Sequence, residues 1–201
     1  MTHKSKERTL VIIKPDGVQR SLIGEIIKRY ERIGLKLMGL KFVIPTVEMV
    51  EKHYLIDGGW LESVGKKAQA SYEKKGQKAP FKDPIEGGKW VLERLKKYLS
   101  FGPVVVMVWQ GNEAVGVVRK ITGGTEPLTS DVGTIRGDLT LDSYPLADID
   151  SRAVRNLVHA SGSPEEAEKE IKIWFKKDEV IKYRLIQEAI LYDVNLDNIK
   201  E

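Results

Sequence analysis

His159 stands between an apolar pair, Leu157-Val158, and a turn rich in small residues, Ser161-Gly162-Ser163. Ser163 has the position of a helix N-cap, Pro164 that of the first helical residue, and Glu166 completes a capping box three residues on. A helix opening there turns unpaired backbone N–H groups and the positive end of its dipole toward anions. The imidazole therefore lies where a phosphate could sit, and a neutral imidazole aimed at phosphorus is a nucleophile. By itself the stretch also reads as a surface histidine at a strand end.

Three further stretches carry groups suited to phosphate. Lys14-Pro15-Asp16-Gly17-Val18-Gln19-Arg20 puts a lysine directly after the apolar run Thr9 to Ile13. The run from Arg119 to Pro127 holds an arginine and the turn Gly123-Gly124-Thr125, and Thr134-Ile135-Arg136-Gly137-Asp138 holds a second arginine in a structured turn. Guanidinium groups offer paired donors to phosphate oxygens, and phosphoryl transfer asks a protein mainly for positioning and charge stabilisation. Singly, Lys14 and Arg119 also read as solvated strand-end and helix side chains, whereas the glycine and aspartate beside Arg136 favour a structured turn.

Together with Asn156 to Ser161, these stretches resemble nucleoside diphosphate kinases, in order, from Thr9 to about Tyr54 and from Ser100 to about Phe175. The resemblance implies transfer of the γ-phosphate of a nucleoside triphosphate, typically ATP, to a nucleoside diphosphate through a phosphohistidine on His159. It implies phosphate contacts from Lys14, Arg119 and Arg136, a hydroxyl donor at Thr125 and a sugar contact from Asn156. Tyr54 is expected beside the nucleophile and Ser161 near it, with Glu170 holding the second ring nitrogen. An aromatic platform for the base falls to Trp60, with Trp90 second. Mg²⁺ bridging the phosphates and a homo-oligomer, hexamer or tetramer, complete the expectation. Ala160 and Gly162 depart from the glycine and aspartate common around the serine, so the loop is expected to be less acidic and less constrained. The alternative is a catalytically weakened relative that binds nucleotide or nucleic acid.

Composition sets the outer bounds. The 201 residues suffice for one domain with a real core, and 41% hydrophobic with 31% charged residues describe a soluble globular chain. Without cysteine there are no disulfides and no thiolate metal sites. No apolar run reaches a membrane span, and the first eight residues lack a secretory core, so a cytoplasmic protein is expected. The net charge of +4 suits any anionic partner, nucleotide or nucleic acid alike. Nucleic acid is the weaker expectation, because the strands lack the paired aromatics of an RNA-binding sheet.

The elements that must position these groups follow from periodicity. Strands are predicted over Thr9–Ile13, Leu35–Ile44, Pro103–Trp109 and Val154–Val158, with a short strand segment at Leu139-Thr140-Leu141. Helices are predicted over Ser21–Ile33, after the N-cap Thr46 to Tyr54, and over Glu62–Lys74, Glu86–Leu99 and Pro164–Phe175. For Ala114–Ile121 strand propensity competes with a helical face, and the resemblance implies a helix. The segments 57–97 and 142–153 read as insertions, the first lid-like. The tail 178–201 reads as a helix that packs on a neighbouring subunit, His53 as a surface histidine, and His3 as part of a frayed end. The order suggests one α+β domain, helices on one face of a four-stranded antiparallel sheet; the resemblance implies a ferredoxin-like βαββαβ core.

Overall fold

The computed structural model describes residues 6–74, 76 and 78–192. Its centre is β1 (Glu7–Ile13), whose residues from Thr9 to Ile13 are wholly buried. With β2 (Lys36–Val43), β3 (Val104–Gly111) and β4 (Val158–Ala160) it forms a sheet of order β2-β3-β1-β4, every pair antiparallel. The arrangement is the expected ferredoxin-like one.

Helices cover both faces of the sheet, not one. Leu10 and Ile12 pack with α3 (Val47–Tyr54), α5 (Pro84–Ser100) and α9 (Pro164–Trp174). Val11 and Ile13 pack on the opposite side with α2 (Ile23–Glu31) and α6 (Ala114–Thr122). Successive strand side chains point to opposite faces, so an uninterrupted apolar run requires cover on both. Truncating Ile12 to alanine would cost ~2–5 kcal/mol.

The short α1 (Pro15–Gln19) follows β1, with Pro15 at its first position. Between α3 and β3, α4 (Trp60–Lys74) and α5 form a helical hairpin whose axes approach closely at two glycines. A Cβ on Gly65 would lie 1.6 Å from the Pro84 carbonyl oxygen, and one on Gly88 would lie 2.1 Å from that of Leu61. The Ala114 segment is helical, its apolar stripe on the core deciding against strand propensity.

Three expectations need correction. The last strand begins at Val158, not Val154. Leu157 takes φ +66 and Val158 donates its N–H to the Asn156 carbonyl at 2.7 Å, a tight three-residue turn that keeps the preceding residues out of the sheet. Leu139 closes α7 (Ile135–Leu139), capped by Thr134, and Thr140 and Leu141 join no strand. The tail is mostly not helical over its described part. From 180 it runs without regular structure, Ile181 donating to the Met38 carbonyl at 2.7 Å and the Tyr183 hydroxyl to that of Leu37 at 2.8 Å, before the one-turn α10 (Glu188–Leu191). The open edge of β2 takes these donors, so the tail packs on its own chain; residues 193–201 lie outside the described residues. The segment 142–153 contains α8 (Tyr144–Ile149), capped by Ser143. No described helix is long and apolar enough to cross a membrane.

Candidate active site

His159 pairs with Ile12 across β4 and β1. Val158 faces the α2–α6 side, so alternation turns His159 toward α3 and α9. There its Nε2 meets Glu170 Oε1 at 2.7 Å, while Nδ1 takes no hydrogen bond among the described residues. Glu170, on the buried face of α9, is 1% exposed, and its other oxygen accepts the Ser161 hydroxyl at 2.5 Å. Ser161 is itself fixed by the Leu10 N–H, which donates to its Oγ at 3.1 Å. The carboxylate thus settles the tautomer, with the proton on Nε2 and a lone pair on Nδ1. Burial, then the positive charge of Lys14, lowers the His159 pKa and keeps the ring neutral.

A cleft of ≈ 420 Å³ opens over this imidazole. Lys14, Tyr54, Trp60, Arg119, Thr125, Arg136, Asn156 and Glu170 all line it, so the structure brings together every candidate except Ser161, which stands behind Glu170, and the second-choice platform Trp90, which does not line it. The Tyr54 ring centre lies 6.4 Å from that of His159. Lys14, at the end of β1, is 4% exposed, donates to Asn156 Oδ1 at 2.7 Å and lies 5.0 Å above the centre of the Tyr98 ring. Burial and the adjacent Arg136 pull its pKa down to about 7, against Asp16.

The two arginines differ. Arg136 is buried and gives Nε–H to the Asn156 carbonyl at 3.1 Å, two bonds to the carbonyls of Gly123 and Gly124 at 3.0 and 2.9 Å, and one to Val158 at 2.5 Å. Four of its five N–H groups therefore tie the Gly123-Gly124 loop to the turn before His159. Arg119 is exposed at the end of α6, with no ion pair or hydrogen bond among the described residues. Asn156 divides its amide between Lys14 and the Thr125 carbonyl, which accepts Nδ2 at 2.8 Å.

Trp60 opens α4 and lies 5.4 Å from the Tyr54 ring, on the cleft wall. Trp90 lines an adjoining cavity of ≈ 400 Å³, with the Arg94 guanidinium 3.3 Å over its ring. The loop after the strand is not deprived of a carboxylate. Glu166 accepts the Gly162 N–H at 2.9 Å and lines the cleft, so an acid from α9 stands beside the turn.

Sequence reasoning missed His53, which is no surface residue. It is 2% exposed, its ring centre 4.4 Å from that of His159, and it takes the Trp174 indole N–H on Nδ1 at 3.3 Å. Its spacing from Val50 and next to Tyr54 was the available signal, since all three share the buried face of α3. Tyr98 and Asp16 were missed as well. The Tyr98 hydroxyl accepts the Asn156 N–H at 3.2 Å, and Asp16 Oδ2 accepts the Leu157 N–H at 3.2 Å. Together they pin the left-handed Leu157 turn that delivers His159.

His53, His159 and Glu170 offer ligand atoms all within 4.8 Å of one another. Two imidazoles and one carboxylate are not the oxygen-rich set that Mg²⁺ prefers. Among the other charged groups lining the cleft, Lys14, Lys67, Arg119 and Arg136 outnumber the single carboxylate of Glu166, which suits an ion carried on nucleotide phosphates better than one held by the protein.

Fold and site define an α+β protein with a cation-lined cleft over a neutral histidine oriented by a carboxylate. The family model described as nucleoside diphosphate kinase matches residues 7–59 and 65–180, the second span running through most of the segments set apart above as insertions. A nucleoside diphosphate kinase of Pyrobaculum aerophilum is 48% identical over 87% of this chain and 98% of its own length. One of Pyrococcus abyssi is 43% identical over 91% and 92%. A crystal structure of an NDP kinase from Pyrobaculum aerophilum superposes with a TM-score of 0.85 at 45% identity, covering 88% of this chain and all of that one. A transition-state mimic of the Borrelia burgdorferi enzyme with bound vanadate and ADP gives 0.74 at 34% identity, over 91% and 95%. The chain belongs to the nucleoside diphosphate kinase family.

Proposed function

We propose that this chain transfers the γ-phosphate of a nucleoside triphosphate to a nucleoside diphosphate, with His159 as the intermediate carrier. The observation that carries the reading is the His159–Glu170 contact at 2.7 Å beneath a cleft lined by Lys14, Arg119 and Arg136. Nδ1 attacks the γ-phosphorus, an N–P bond forms, and the bond to the bridging β–γ oxygen breaks to release the diphosphate. A second diphosphate reverses the step, taking the phosphoryl group and returning the lone pair to Nδ1. Nε2–H stays with Glu170 throughout, and Ser161 holds that carboxylate in place.

Arg119 and Lys14 supply the charge on the phosphates, and Arg136 adds its remaining N–H while shaping the turn. Thr125 contributes its hydroxyl, Asn156 its second amide hydrogen to the sugar, Tyr54 one wall beside the nucleophile, and Trp60 a face for the base. A Mg²⁺ ion brought in with the nucleotide would supply charge neutralisation at the phosphates. The chain is read as one domain, 1–201, whose α4–α5 hairpin covers the nucleotide as a lid. Association into a homo-oligomer is part of the reading, supported by Leu40 and Phe42 on the outer strand and Ile44 just past its end, which are 50%, 61% and 70% exposed.

Steady-state kinetics test it. With ATP and a second nucleoside diphosphate varied, parallel double-reciprocal lines are expected. Intersecting lines, or no transfer by folded protein, would count against it.

A further inference from the structure

The least expected group in the site is His53, a buried imidazole edge-on to the nucleophile with no role assigned above. Its ring stands at 81° to that of His159 with centres 4.4 Å apart, and its Nδ1 lies 3.6 Å from Glu170 Oε1, the same oxygen that holds His159 Nε2. A proton on His53 Nδ1 would therefore compete with His159 for that oxygen. The Trp174 indole excludes this. An indole nitrogen only donates, so the 3.3 Å contact from Trp174 Nε1 to His53 Nδ1 requires a lone pair on Nδ1. The His53 proton is then on Nε2, which is buried and unpartnered among the described residues. Leaving a buried donor unpaired is costly, so the arrangement persists against a real penalty.

We propose that Trp174 and His53 are a positioning pair for phosphoryl transfer: the indole proton occupies the His53 Nδ1 lone pair, so His53 has no proton to offer Glu170 Oε1 and that oxygen orients His159 alone. The pair acts through Glu170 and touches no substrate. Burial keeps His53 uncharged, its pKa lowered to about 3, with the neighbouring His159 acting in the same direction and Glu170 against it. Were the indole N–H lost, the His53 proton could move to Nδ1 and draw Glu170 Oε1 away. His159 would then be free to carry its proton on the nitrogen that must attack.

This rests on the phosphohistidine reading, and the test separates the two. In protein labelled with ¹⁵N at histidine, wild type should show His53 protonated at Nε2 and His159 protonated at Nε2. Trp174→Phe should move the His53 proton toward Nδ1. The same change should slow single-turnover phosphorylation of His159 about tenfold or more, a misplaced tautomer at a serine-protease histidine costing far more. Nucleotide affinity should stay within about twofold, since no binding contact is removed. In the Trp174→Phe/His53→Leu double variant, which has no competing proton, most of the lost rate should return. A purely structural role predicts the opposite, a double variant slower than either single one. Three results would overturn the proposal: a wild-type spectrum with the His53 proton on Nδ1, a Trp174→Phe rate equal to wild type, or a double variant no faster than Trp174→Phe. The wild-type spectrum decides even if the variants do not fold. Absence of phosphohistidine in wild type would sink the functional reading while leaving the tautomer question answerable.

Discussion

Gly162 gives its backbone N–H to the carboxylate of Glu166 at 2.9 Å, and that carboxylate occupies the space a side chain at 162 would need. A Cβ built on Gly162 meets Glu166 Oε2 at 2.5 Å. The two positions are therefore one device: the loop residue has given up its side chain, and an acid in the first turn of α9 holds the loop instead. Gly162→Ala should displace the carboxylate and cost about 1 kcal/mol, comparable to losing a helix cap. Urea denaturation of that variant, with Glu166→Ala beside it, checks the pairing. The double variant should cost less than the sum of the two, and strict additivity would show the positions to be independent.

Lys14 makes stability and binding depend on pH in a defined direction. Its pKa falls from 10.5 in the unfolded chain to about 7 in the fold, because burial and Arg136 disfavour its charge. Between pH 7 and 10.5 the unfolded chain binds the proton that the fold has given up, so this group's contribution to stability rises with pH across that window. Entry of an anion restores the charged form, so nucleotide binding at pH 8 should take up a proton. Calorimetry in two buffers of different ionisation enthalpy reads this directly. Lys14→Met should abolish the uptake, and buffer-independent heats in wild type would contradict the assignment.

Arg119 and Arg136 should fail differently. Arg119→Ala removes a side chain with no ion pair or hydrogen bond among the described residues, so Michaelis constants should rise while thermal stability stays within about 0.5 kcal/mol of wild type. Arg136→Ala strips donors from four carbonyls, of which those of Asn156 and Gly124 keep the Val158 N–H and the Ser130 hydroxyl, and should still destabilise by a few kcal/mol, at ~1–3 kcal/mol for each buried acceptor left unpaired. Equal unfolding midpoints for the two variants would refute the division of labour.

Ser161→Ala tests the support under the carboxylate. The change leaves Glu170 Oε2 without its donor and the Leu10 N–H without its side-chain acceptor, and should cost about 1–3 kcal/mol. The rate of phosphohistidine formation should fall more than nucleotide affinity. A stable variant with unchanged rate would remove Ser161 from the site.

Much of this was legible because it is written in residue types. The run Thr9–Ile13 could only be a strand buried on both sides, although the one-face arrangement expected for the sheet missed that implication. Lys14, Arg119, Arg136, Asn156, His159 and Glu170 were recognisable in order along the chain. What escaped depends on partners far apart in sequence. The start of β4 is set by a leucine at positive φ, which its residue type disfavours and which Asp16 and Tyr98 hold in place. His53 was read as exposed because a polar residue on a buried helical face is uncommon, even though Val50 and Tyr54 marked that face. The tail's spacing of apolar residues resembled a helix, but an unpaired strand edge offered its backbone a better partner.

The central claim is that the Nδ1 nitrogen of His159 carries the phosphoryl group while Nε2 stays with Glu170. The most direct measurement is incubation with γ-labelled ATP, acid and base treatment of the labelled chain, and assignment of the phosphorylated ring nitrogen by NMR. An acid-labile, base-stable label on Nδ1 of His159, absent from His159→Ala and transferable to an added nucleoside diphosphate, is the expected result. A label on Nε2, on a serine, or on no residue of the folded protein would contradict it.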